Sequence, residues 1–546
     1  MRAHRWLLAI WLCFLARAFF YCAAYPIWEG FDEWAHFAVV QRMAFRGEPL
    51  VSRESPVPRD VASSLDLVPL AWELRTLPPP SATHDDFWRL PPAERARRES
   101  LFRAIPPVWA HQDSTGNFRA YEGLQGPLYG WIMTPLLLAL RQAHLATQVL
   151  LLRWFGVTIV SLAIPLSFLA CRSVFDDASP ALGCAAVVAA MPGLLIDTAH
   201  VSNECVAVVL FTLLIWLSLQ TVSRGFSSAR AISLGAVAGF GLLAKAYFLT
   251  ALPPVAVLLI WKCRRDRRAL LVPLTTLAIA GWWYFRNLVT VGTFSGMWET
   301  GVLPNATFAD QLRQIPRIHW GVVIDSILFS HLWLGAWSTL TVRSWMYHFL
   351  YLLIALAGGG LMVQGIRSRR QASAGASALA VLAMFFLAFW AGQLYHAITL
   401  FMVWGIATTL GSYLYAIVTA EVALSAVGLR AIAPRAVRPL VVPFGVGIFA
   451  LLDLYTVHLV SLPYYAGFTT HRPNGPLAAF HLGSAGLREI LDRLHAFKPP
   501  LVSEPLLAAL WIAYVAATVA LVAIAIVSRS HKQAEGQTDP AVQKAD

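Results

Sequence analysis

Twelve apolar runs, separated by polar or basic stretches, are the feature that most constrains the fold of this chain. A helix needs about 20 mostly apolar residues to cross a bilayer, and a lipid-exposed backbone must form helices or a closed barrel. The runs cover 6–25, 149–170, 181–198, 204–222, 230–247, 248–262, 269–286, 345–365, 374–396, 410–430, 438–460 and 504–528. The sequence therefore predicts an all-α polytopic membrane protein, a bundle of about 12 transmembrane helices.

Composition and charge favour a membrane protein and argue against nucleic-acid binding. Of 546 residues, 58% are apolar and 13% are charged, whereas soluble domains average about 45–50% and about 25%. The net charge of +12 comes from basic residues that cluster between the runs, as the positive-inside rule predicts for cytoplasmic loops. With this register, both termini are expected in the cytoplasm. All six cysteines lie in or beside apolar runs without a Cys-x-x-Cys pair, which argues against disulfides and structural zinc.

Three long polar segments are expected on the outer side of the membrane. The predicted organisation is a transmembrane domain at 1–460 with outer loops at 26–126 and 287–344, a third outer loop at 461–503, a last span at 504–528 and a disordered cytoplasmic tail at 529–546. The apolar run at 127–140 is short for a span, and a crossing there would move the later basic clusters outside. We therefore expect a juxtamembrane or re-entrant helix in that run.

The stretch just after the first run combines two carboxylates and an imidazole. Gly30 and Gly47 bracket a predicted helix that carries Asp32, Glu33 and His36. Residues three or four apart lie on one helix face, so the three side chains can point into one space. The alternative is a solvated interfacial helix with an ion pair on its wet side.

Further polar side chains are expected at the outer ends of the runs, where charges are costly and need a reason. They are Arg153, Asn203, Glu204, Lys245, Arg286 and Asn287. Carboxylates there can deprotonate an acceptor hydroxyl or hold a divalent cation, and cations can hold a lipid phosphate. Three of them have a simpler alternative: the helix dipole can stabilise Glu204 in the first turn of a span, and Lys245 and Arg286 can snorkel to headgroups.

Taken in order, these motifs resemble the GT-C class of membrane glycosyltransferases over about residues 1–430. They match most closely a bacterial branch of predicted membrane proteins of unknown function. The matching patterns are Asp-Glu-x-x-His at Asp32, Glu33 and His36; Asn203-Glu204; Gln-x-Pro-Leu-Tyr at Gln125, Pro127, Leu128 and Tyr129; Leu-x-Lys at Lys245; and Trp-x-x-Arg-Asn at Trp283, Arg286 and Asn287. Two positions depart from the pattern, since Glu204 replaces the usual Asp and Ser412-Tyr413 replaces Arg-Tyr.

The resemblance implies an inverting transfer of a sugar from a polyprenyl-phosphate carrier. The acceptor would be an envelope glycan, lipid or protein outside the cytoplasmic (inner) membrane. The implied roles are Asp32 as general base; Glu33, His36 and Glu204 as orienting or metal-binding groups; and Lys245, Arg286, Arg153 and Gln125 as contacts of the donor phosphate or lipid. A divalent metal, if one is used, would be held by Asp32 and Glu204.

Two other functions remain open at this stage. A transporter or flippase of a lipid-linked intermediate should place polar groups near mid-membrane and contain broken helices or paired halves. A catalytically inactive relative would be consistent with Ser412 and Glu204, because an arginine that binds the carrier phosphate would then be missing.

Overall fold

A computed structural model of the chain describes residues 2–263, 265–303, 306–368, 374–473, 475–480 and 486–535. The structure is 74% helical, as expected for an all-α protein. Its described residues contain one two-stranded sheet, in which β1 (Pro69–Leu70) and β2 (Ala82–Thr83) pair in parallel. The predicted tail is described only to residue 535, and 536–546 lie outside the described residues.

The helices follow the apolar runs, with additional short helices in the polar segments. Those before residue 145 are α1 (Arg2–Ala24), α2 (Glu33–Arg46), α3 (Arg59–Leu65), α4 (His84–Phe87), α5 (Pro92–Arg103) and α6 (Leu128–Ala139). Next come α7 (Leu145–Val160), α8 (Ala163–Cys171), α9 (Ala178–Ala190), α10 (Pro192–Thr198), α11 (Glu204–Arg224), α12 (Ser228–Ala244), α13 (Leu252–Cys263), α14 (Leu271–Thr276), α15 (Trp282–Thr290), α16 (Trp298–Val302), α17 (Phe308–Gln314) and α18 (Trp320–Leu332). The last are α19 (Ser344–Ser368), α20 (Ala374–Trp404), α21 (Val418–Ile432), α22 (Val441–Thr456), α23 (Leu462–Tyr465), α24 (Leu487–His495) and α25 (Glu504–Glu535).

Short 3₁₀ helices and two π-helical turns connect or interrupt these α-helices. The 3₁₀ helices are Trp72–Thr76, Pro107–His111, Tyr121–Leu124, Ala246–Ala251, Arg267–Leu270, Ile315–Arg317, Ala336–Ser338, Gly411–Ile417 and Arg438–Leu440. Two π-helical turns, Leu277–Gly281 and Val457–Ser461, lie within longer helical segments. The last helix continues through 529–535, where the sequence predicts the start of a disordered tail.

Within the described residues, eight helical segments are long and apolar enough to cross a bilayer, and the bent pair α9–α10 makes a ninth. The remaining three predicted runs, 230–247, 248–262 and 269–286, are helical but shorter or interrupted. The first ends early because the chain turns at Lys245, and the third contains a π-helical turn. The run at 127–140 forms the 12-residue helix α6, shorter than a span, as expected.

The bend between α9 and α10 is stabilised by a charge inside the bundle. Pro192 begins α10 at 55° to α9, and a proline cannot donate a hydrogen bond to the preceding turn. The guanidinium of Arg17 on α1 donates to the carbonyl oxygens of Ala189 and Ala190 there. It also pairs with Asp453 on α22 at 2.9 Å, and both side chains are fully buried. Arg17, a charged residue within the first apolar run, therefore satisfies the last carbonyl groups of α9 at the point where this span is broken.

The three predicted outer loops meet at one end of the bundle. We call this end the loop face, and it comprises the described parts of 26–126, 287–344 and 461–503. The carboxylate of Glu29 accepts hydrogen bonds from the backbone N–H of Ser338 at 3.1 Å and from Tyr465 Oη at 3.2 Å. That of Asp85 accepts from the backbone N–H of His471 at 2.5 Å. Each of these carboxylates therefore connects segments far apart in sequence.

Candidate active site

The carboxylate of Glu33 joins three chain segments at the loop face. It accepts hydrogen bonds from two guanidinium nitrogens of Arg153, each at 2.6 Å, and from the backbone N–H groups of Trp28 and Val201, each at 3.0 Å. The Glu33 side chain is fully buried. We call this set the Glu33 junction; it fixes the start of α2 against α7 and against the turn before α11.

Every N–H group of Arg153 already has an acceptor within the chain. A guanidinium carries five N–H groups, and here two donate to Glu33 while three donate to the carbonyl oxygens of Cys22, Tyr25 and Pro26. Arg153 therefore has no donor left for a lipid phosphate in this arrangement.

The side chain of Glu33 bonds Arg153 rather than Asp32 or His36, although its charge acts on the His36 imidazole. Asp32 precedes α2 rather than belonging to it, with φ of 54°, so ideal helical spacing does not apply to it. Burial alone would raise the pKa of Glu33, but the Arg153 guanidinium lowers it below its usual range. The bracketing glycine at the other end is confirmed, because Gly47 ends α2 in the left-handed conformation.

Asp32 occupies a strained position next to a phenol. A positive φ is uncommon for a residue other than glycine and costs about 1–3 kcal/mol. The Oδ1 atom of Asp32 accepts a hydrogen bond from Tyr121 Oη at 2.5 Å. Burial raises the pKa of Asp32, while the bond from Tyr121 and the charge of Lys245 oppose that rise. A carboxylate whose pKa is shifted toward neutrality is better suited to act as a base.

His36 faces a second carboxyl group that sequence reasoning missed. Its Nε2 atom lies 3.5 Å from Glu122 Oε2. Burial and the neighbouring Asp32 raise the pKa of Glu122 to about 8, and burial lowers the pKa of His36 to about 3. Near pH 7 the carboxyl of Glu122 therefore carries a proton and the imidazole of His36 is neutral. The signal in the sequence was an acidic residue three positions before Gln125.

Lys245 and Glu204 form the ionic centre of the site. The chain is extended at Lys245, just after α12 ends, and its ammonium donates a hydrogen bond to Glu204 Oε1. The other oxygen of Glu204 accepts from Tyr247 Oη at 2.8 Å. The ammonium also lies 5.0 Å from the ring centroid of Tyr413, a distance at which a cation is attracted to the ring face. We call Lys245, Glu204, Tyr247 and Tyr413 the Lys245 cluster; its lysine is paired inside the protein rather than snorkelling.

An open cavity of about 980 Å³ borders this cluster. We call it the Lys245 cavity. Its apolar and aromatic walls include Ala246, Leu249, Met297 and Phe389, and its polar walls include Gln125 and Glu299. The cavity therefore combines an apolar lining with a cation, as a ligand with a phosphate and a lipid tail requires.

Gln125 connects this cavity with the carboxyl groups near α2. It also lines a smaller cavity of about 370 Å³ together with His36 and Glu122. The neighbouring Gly126 lets the two chain segments approach, because a Cβ atom there would lie 2.1 Å from the carbonyl oxygen of Leu243. The predicted Gln125 motif is thus brought against the end of α12.

Arg286 is not among the residues that line the Lys245 cavity. Its guanidinium carbon is 4.9 Å from the ring centroid of Trp283 on the same helix, and one of its nitrogens is 3.5 Å from Asn287 Oδ1. The structure therefore brings Lys245 and Gln125 to the cavity, but not Arg286.

The residues predicted to hold a metal do not fit one in this arrangement. Among the residues that the structure describes, no group of three or more His, Cys, Asp or Glu side chains is placed to hold an ion. Both oxygens of Glu204 bind Lys245 or Tyr247, and the Oδ1 of Asp32 binds Tyr121. A cation between Asp32 and Glu204 would compete with the ammonium.

Like Glu122, Asp197 is a carboxyl group near the site that sequence reasoning missed. It lies on α10, is 5% exposed, and interacts electrostatically with Glu204 and Lys245. Ser412 lies beside it, so the position where the GT-C branch has arginine is also next to the cluster. A lone acid within an apolar run was the available signal, since such residues are rarely without a role.

Comparison with known sequences gave no match, either to a protein-family model or to a curated protein. Comparison with solved structures gave several. One is ArnT from Cupriavidus metallidurans bound to undecaprenyl phosphate, which is 15% identical with a TM-score of 0.38, over 92% of this chain and 78% of ArnT.

Two others are oligosaccharyltransferases from Archaeoglobus fulgidus. AglB in complex with an inhibitory peptide and a dolichol-phosphate is 13% identical with a TM-score of 0.41, over 95% of this chain and 56% of AglB. An oligosaccharyltransferase in complex with Zn and sulfate is 15% identical with a TM-score of 0.35, over 72% of this chain and 53% of the other. The chain thus spans little more than half of these archaeal proteins. All three belong to the GT-C class that the sequence motifs resemble.

Proposed function

We propose that this protein is a membrane glycosyltransferase that moves a hexosyl or pentosyl group from a polyprenyl-phosphate carrier to an acceptor at the loop face. The observation that carries the proposal is the Lys245 cavity, where an ammonium borders an apolar pocket close to a partly protonated group of carboxyls. Residues 1–460 would form the transferase domain, with the loop face outside the cytoplasmic membrane and both termini inside.

The Lys245 cavity would bind the donor. The cavity is open on one side, so a sugar phosphate can lie beside Lys245 while the lipid tail extends outward along the apolar wall. The ammonium of Lys245 has three N–H groups, of which one is directed at Glu204, so others are available for phosphate oxygens. Glu204 and Tyr247 would keep the lysine charged and positioned.

Asp32 would accept the proton of the acceptor hydroxyl as that oxygen attacks the anomeric carbon of the sugar. The bond from the sugar to the carrier phosphate then breaks, and the phosphate leaves as an anion beside Lys245. Tyr121 holds Asp32 in its strained conformation, which a general base must keep to reach its substrate. Glu33 and Arg153 would act as positioning residues, because they fix the loop that carries Asp32.

His36 and Glu122 would border the acceptor. Both line the smaller cavity beside Gln125, and at neutral pH they form an uncharged pair that can hydrogen-bond sugar hydroxyls. No step of this proposal uses a metal, because the Lys245 ammonium supplies the positive charge next to Glu204.

The test is transfer by purified protein in nanodiscs, supplied with polyprenyl-phosphate-linked hexoses and pentoses and an envelope lipid extract as acceptor. We expect Asp32→Asn to lose transfer while its melting temperature stays near that of wild type. Asp86→Asn is the matched control, since Asp86 is an exposed carboxylate of the same loop. Wild-type rates in Asp32→Asn would remove Asp32 from the role of base. Translocation of the intact carrier without consumption of the sugar would instead identify a flippase.

A further inference from the structure

A second cavity at the loop face is separate from the proposed donor site. It measures about 590 Å³ and lies between the end of α1, the first turns of α7 and the segment that follows α24. None of its lining residues lines the Lys245 cavity. We call it the Lys498 cavity.

Lys498 lines this cavity without a carboxylate partner among the described residues. Its ammonium donates hydrogen bonds to the carbonyl oxygens of Ala24 at 3.0 Å and Tyr25 at 2.6 Å. An ammonium has three N–H groups, so a third remains. Burial and the nearby charge of Arg153 lower the pKa of Lys498 well below its usual range. A bound anion would stabilise the charged form of Lys498 against both burial and the repulsion by Arg153.

Two further side chains of the cavity wall can donate hydrogen bonds. Arg493 lies over the rings of Trp88 and Phe468, and two of its five N–H groups donate to Ala466 O and Glu489. The other three have no acceptor that the structure describes.

His84 is a buried side chain of the cavity wall that is paired with a carboxylate but forms no hydrogen bond to the described residues. It is 1% exposed, and neither ring nitrogen makes a hydrogen bond to the described residues. Its Nε2 atom lies 3.4 Å from Glu29 Oε2, behind the cavity wall. A buried imidazole without a hydrogen bond is costly, so an incoming acceptor would stabilise it.

The charges around the cavity favour an anion. Its lining includes Lys498, Arg493 and Arg153 but no Asp or Glu. The carboxylates beside the cavity are already engaged: Glu33 by Arg153, Glu489 by Arg493, and Glu29 by Ser338, Tyr465 and His84.

The cavity also has an apolar wall. Ala146, Val149 and Leu150 line it from the first turns of α7. An anion with an attached acyl chain therefore matches both sides of the cavity.

We propose that the Lys498 cavity binds a phosphate group, most suitably the headgroup of an anionic phospholipid whose acyl chains run along α7. Lys498, Arg493 and His84 would donate hydrogen bonds to the phosphate oxygens. Such a lipid would tie the third outer loop to the ends of α1 and α7. The proposal does not depend on glycosyl transfer.

The experiment measures binding to delipidated protein by native mass spectrometry, with phosphatidylglycerol, diacylglycerol or inorganic phosphate as the probe. Phosphatidylglycerol and diacylglycerol differ only in the phosphoglycerol headgroup. We expect one molecule of phosphatidylglycerol to be retained, and diacylglycerol to be lost under the same conditions. Lys498→Met should weaken retention about tenfold, as expected when a hydrogen bond to a charged group is removed.

Lys262→Met is the matched control, because Lys262 is an exposed lysine whose ammonium lies 3.9 Å from the Trp261 ring centroid, away from this cavity. It should bind as wild type does. If Lys498→Met does not fold, Arg493→Gln carries the test, with an expected loss of about threefold. Protection from thermal unfolding by inorganic phosphate alone, without phosphatidylglycerol retention, would assign the site to free phosphate. Equal retention of both lipids, or unchanged binding in both variants, would overturn the proposal.

Discussion

The Glu33 junction and the Lys245 cluster are both built from a buried carboxylate and a cation, yet they differ in how completely their hydrogen bonds are satisfied. In the junction, all five N–H groups of Arg153 have acceptors within the chain. In the cluster, Lys245 donates to Glu204 and borders an open cavity. A saturated pair stabilises a fold, whereas a pair with free donors beside a cavity can bind a ligand. The comparison separates structural from chemical roles among residues that look alike in sequence.

Removing one partner from the saturated pair should have the largest effect. Arg153→Met leaves the carboxylate of Glu33 buried without its cation, which typically costs about 3–5 kcal/mol. We expect a sharply lower yield of folded protein and a lower denaturation midpoint in detergent. Arg141→Met is the control, since Arg141 is exposed near the start of the same helix. If the Arg153 variant folds normally but has lost transfer, Arg153 has a role in the reaction rather than in the stability of the fold.

Removing the cation of the unsaturated pair should instead affect activity. Lys245→Met is expected to reduce sugar transfer about 10²–10³-fold, the usual cost of losing one group that stabilises developing charge. Its stability should fall less than that of Arg153→Met, because Glu204 keeps its bond from Tyr247 and water can enter from the cavity. Single-turnover transfer and thermal unfolding, measured on the same preparation, test both halves of this expectation. Equal stability losses in the two variants would mean that the pairs do not differ.

The protonated carboxyl beside the cluster should be visible as a pH dependence of stability. The pKa of Glu122 is about 8 in the folded protein and near 4.5 when unfolded, so the folded state holds the extra proton between these values. Stability is therefore fully present below about pH 4.5 and is lost as the pH rises through about 8. In Glu122→Gln the decline from pH 6 to 9 should be smaller, by about 2 °C in melting temperature.

The control for that experiment is Glu94→Gln, because Glu94 is a carboxylate of the same loop whose pKa lies at about 2. It does not titrate between pH 6 and 9, so this variant should keep the wild-type slope. An unchanged slope in Glu122→Gln would place the proton elsewhere.

The smallest effect is expected from removing the hydrogen bond that Tyr121 donates to Asp32. Tyr121→Phe removes the hydrogen bond that lowers the pKa of Asp32, so that pKa should rise further. Transfer at pH 6 should then fall by about threefold, with wild-type rates regained at pH 9, since a base must be ionised to act. A pH–rate profile over this range measures the shift, and a loss that is equal at both pH values would contradict it.

Much of the architecture could be predicted from sequence because apolar run length and charge placement are local signals. The position of α2 between its glycines and the short helix α6 followed from such signals. The orientation of Glu33 could not be predicted, because it depends on the positive φ of Asp32 and on Arg153, 120 positions away. The predicted roles of the site residues remain predictions.

The missed carboxyl groups illustrate the same limit. Glu122 was an ordinary loop residue by sequence, and only burial beside Asp32 and His36 gives it chemical interest. Asp197 lay within an apolar run, where its charge was detectable but its neighbours, Lys245 and Ser412, were not. Proximity between distant segments is a property of the fold that composition and spacing do not contain.

The capping of the broken span by Arg17 also bears on how the protein is made. Arg17 and Asp453 are 436 positions apart, so the first helix enters the membrane long before its counter-ion is synthesised. Until then a charge near the middle of a span costs about 2.5–3.5 kcal/mol on insertion scales. The N-terminal helix therefore remains a poorly anchored segment during translation. The charge of Arg17 gains its counter-ion only when α22, the penultimate long helix, has been synthesised.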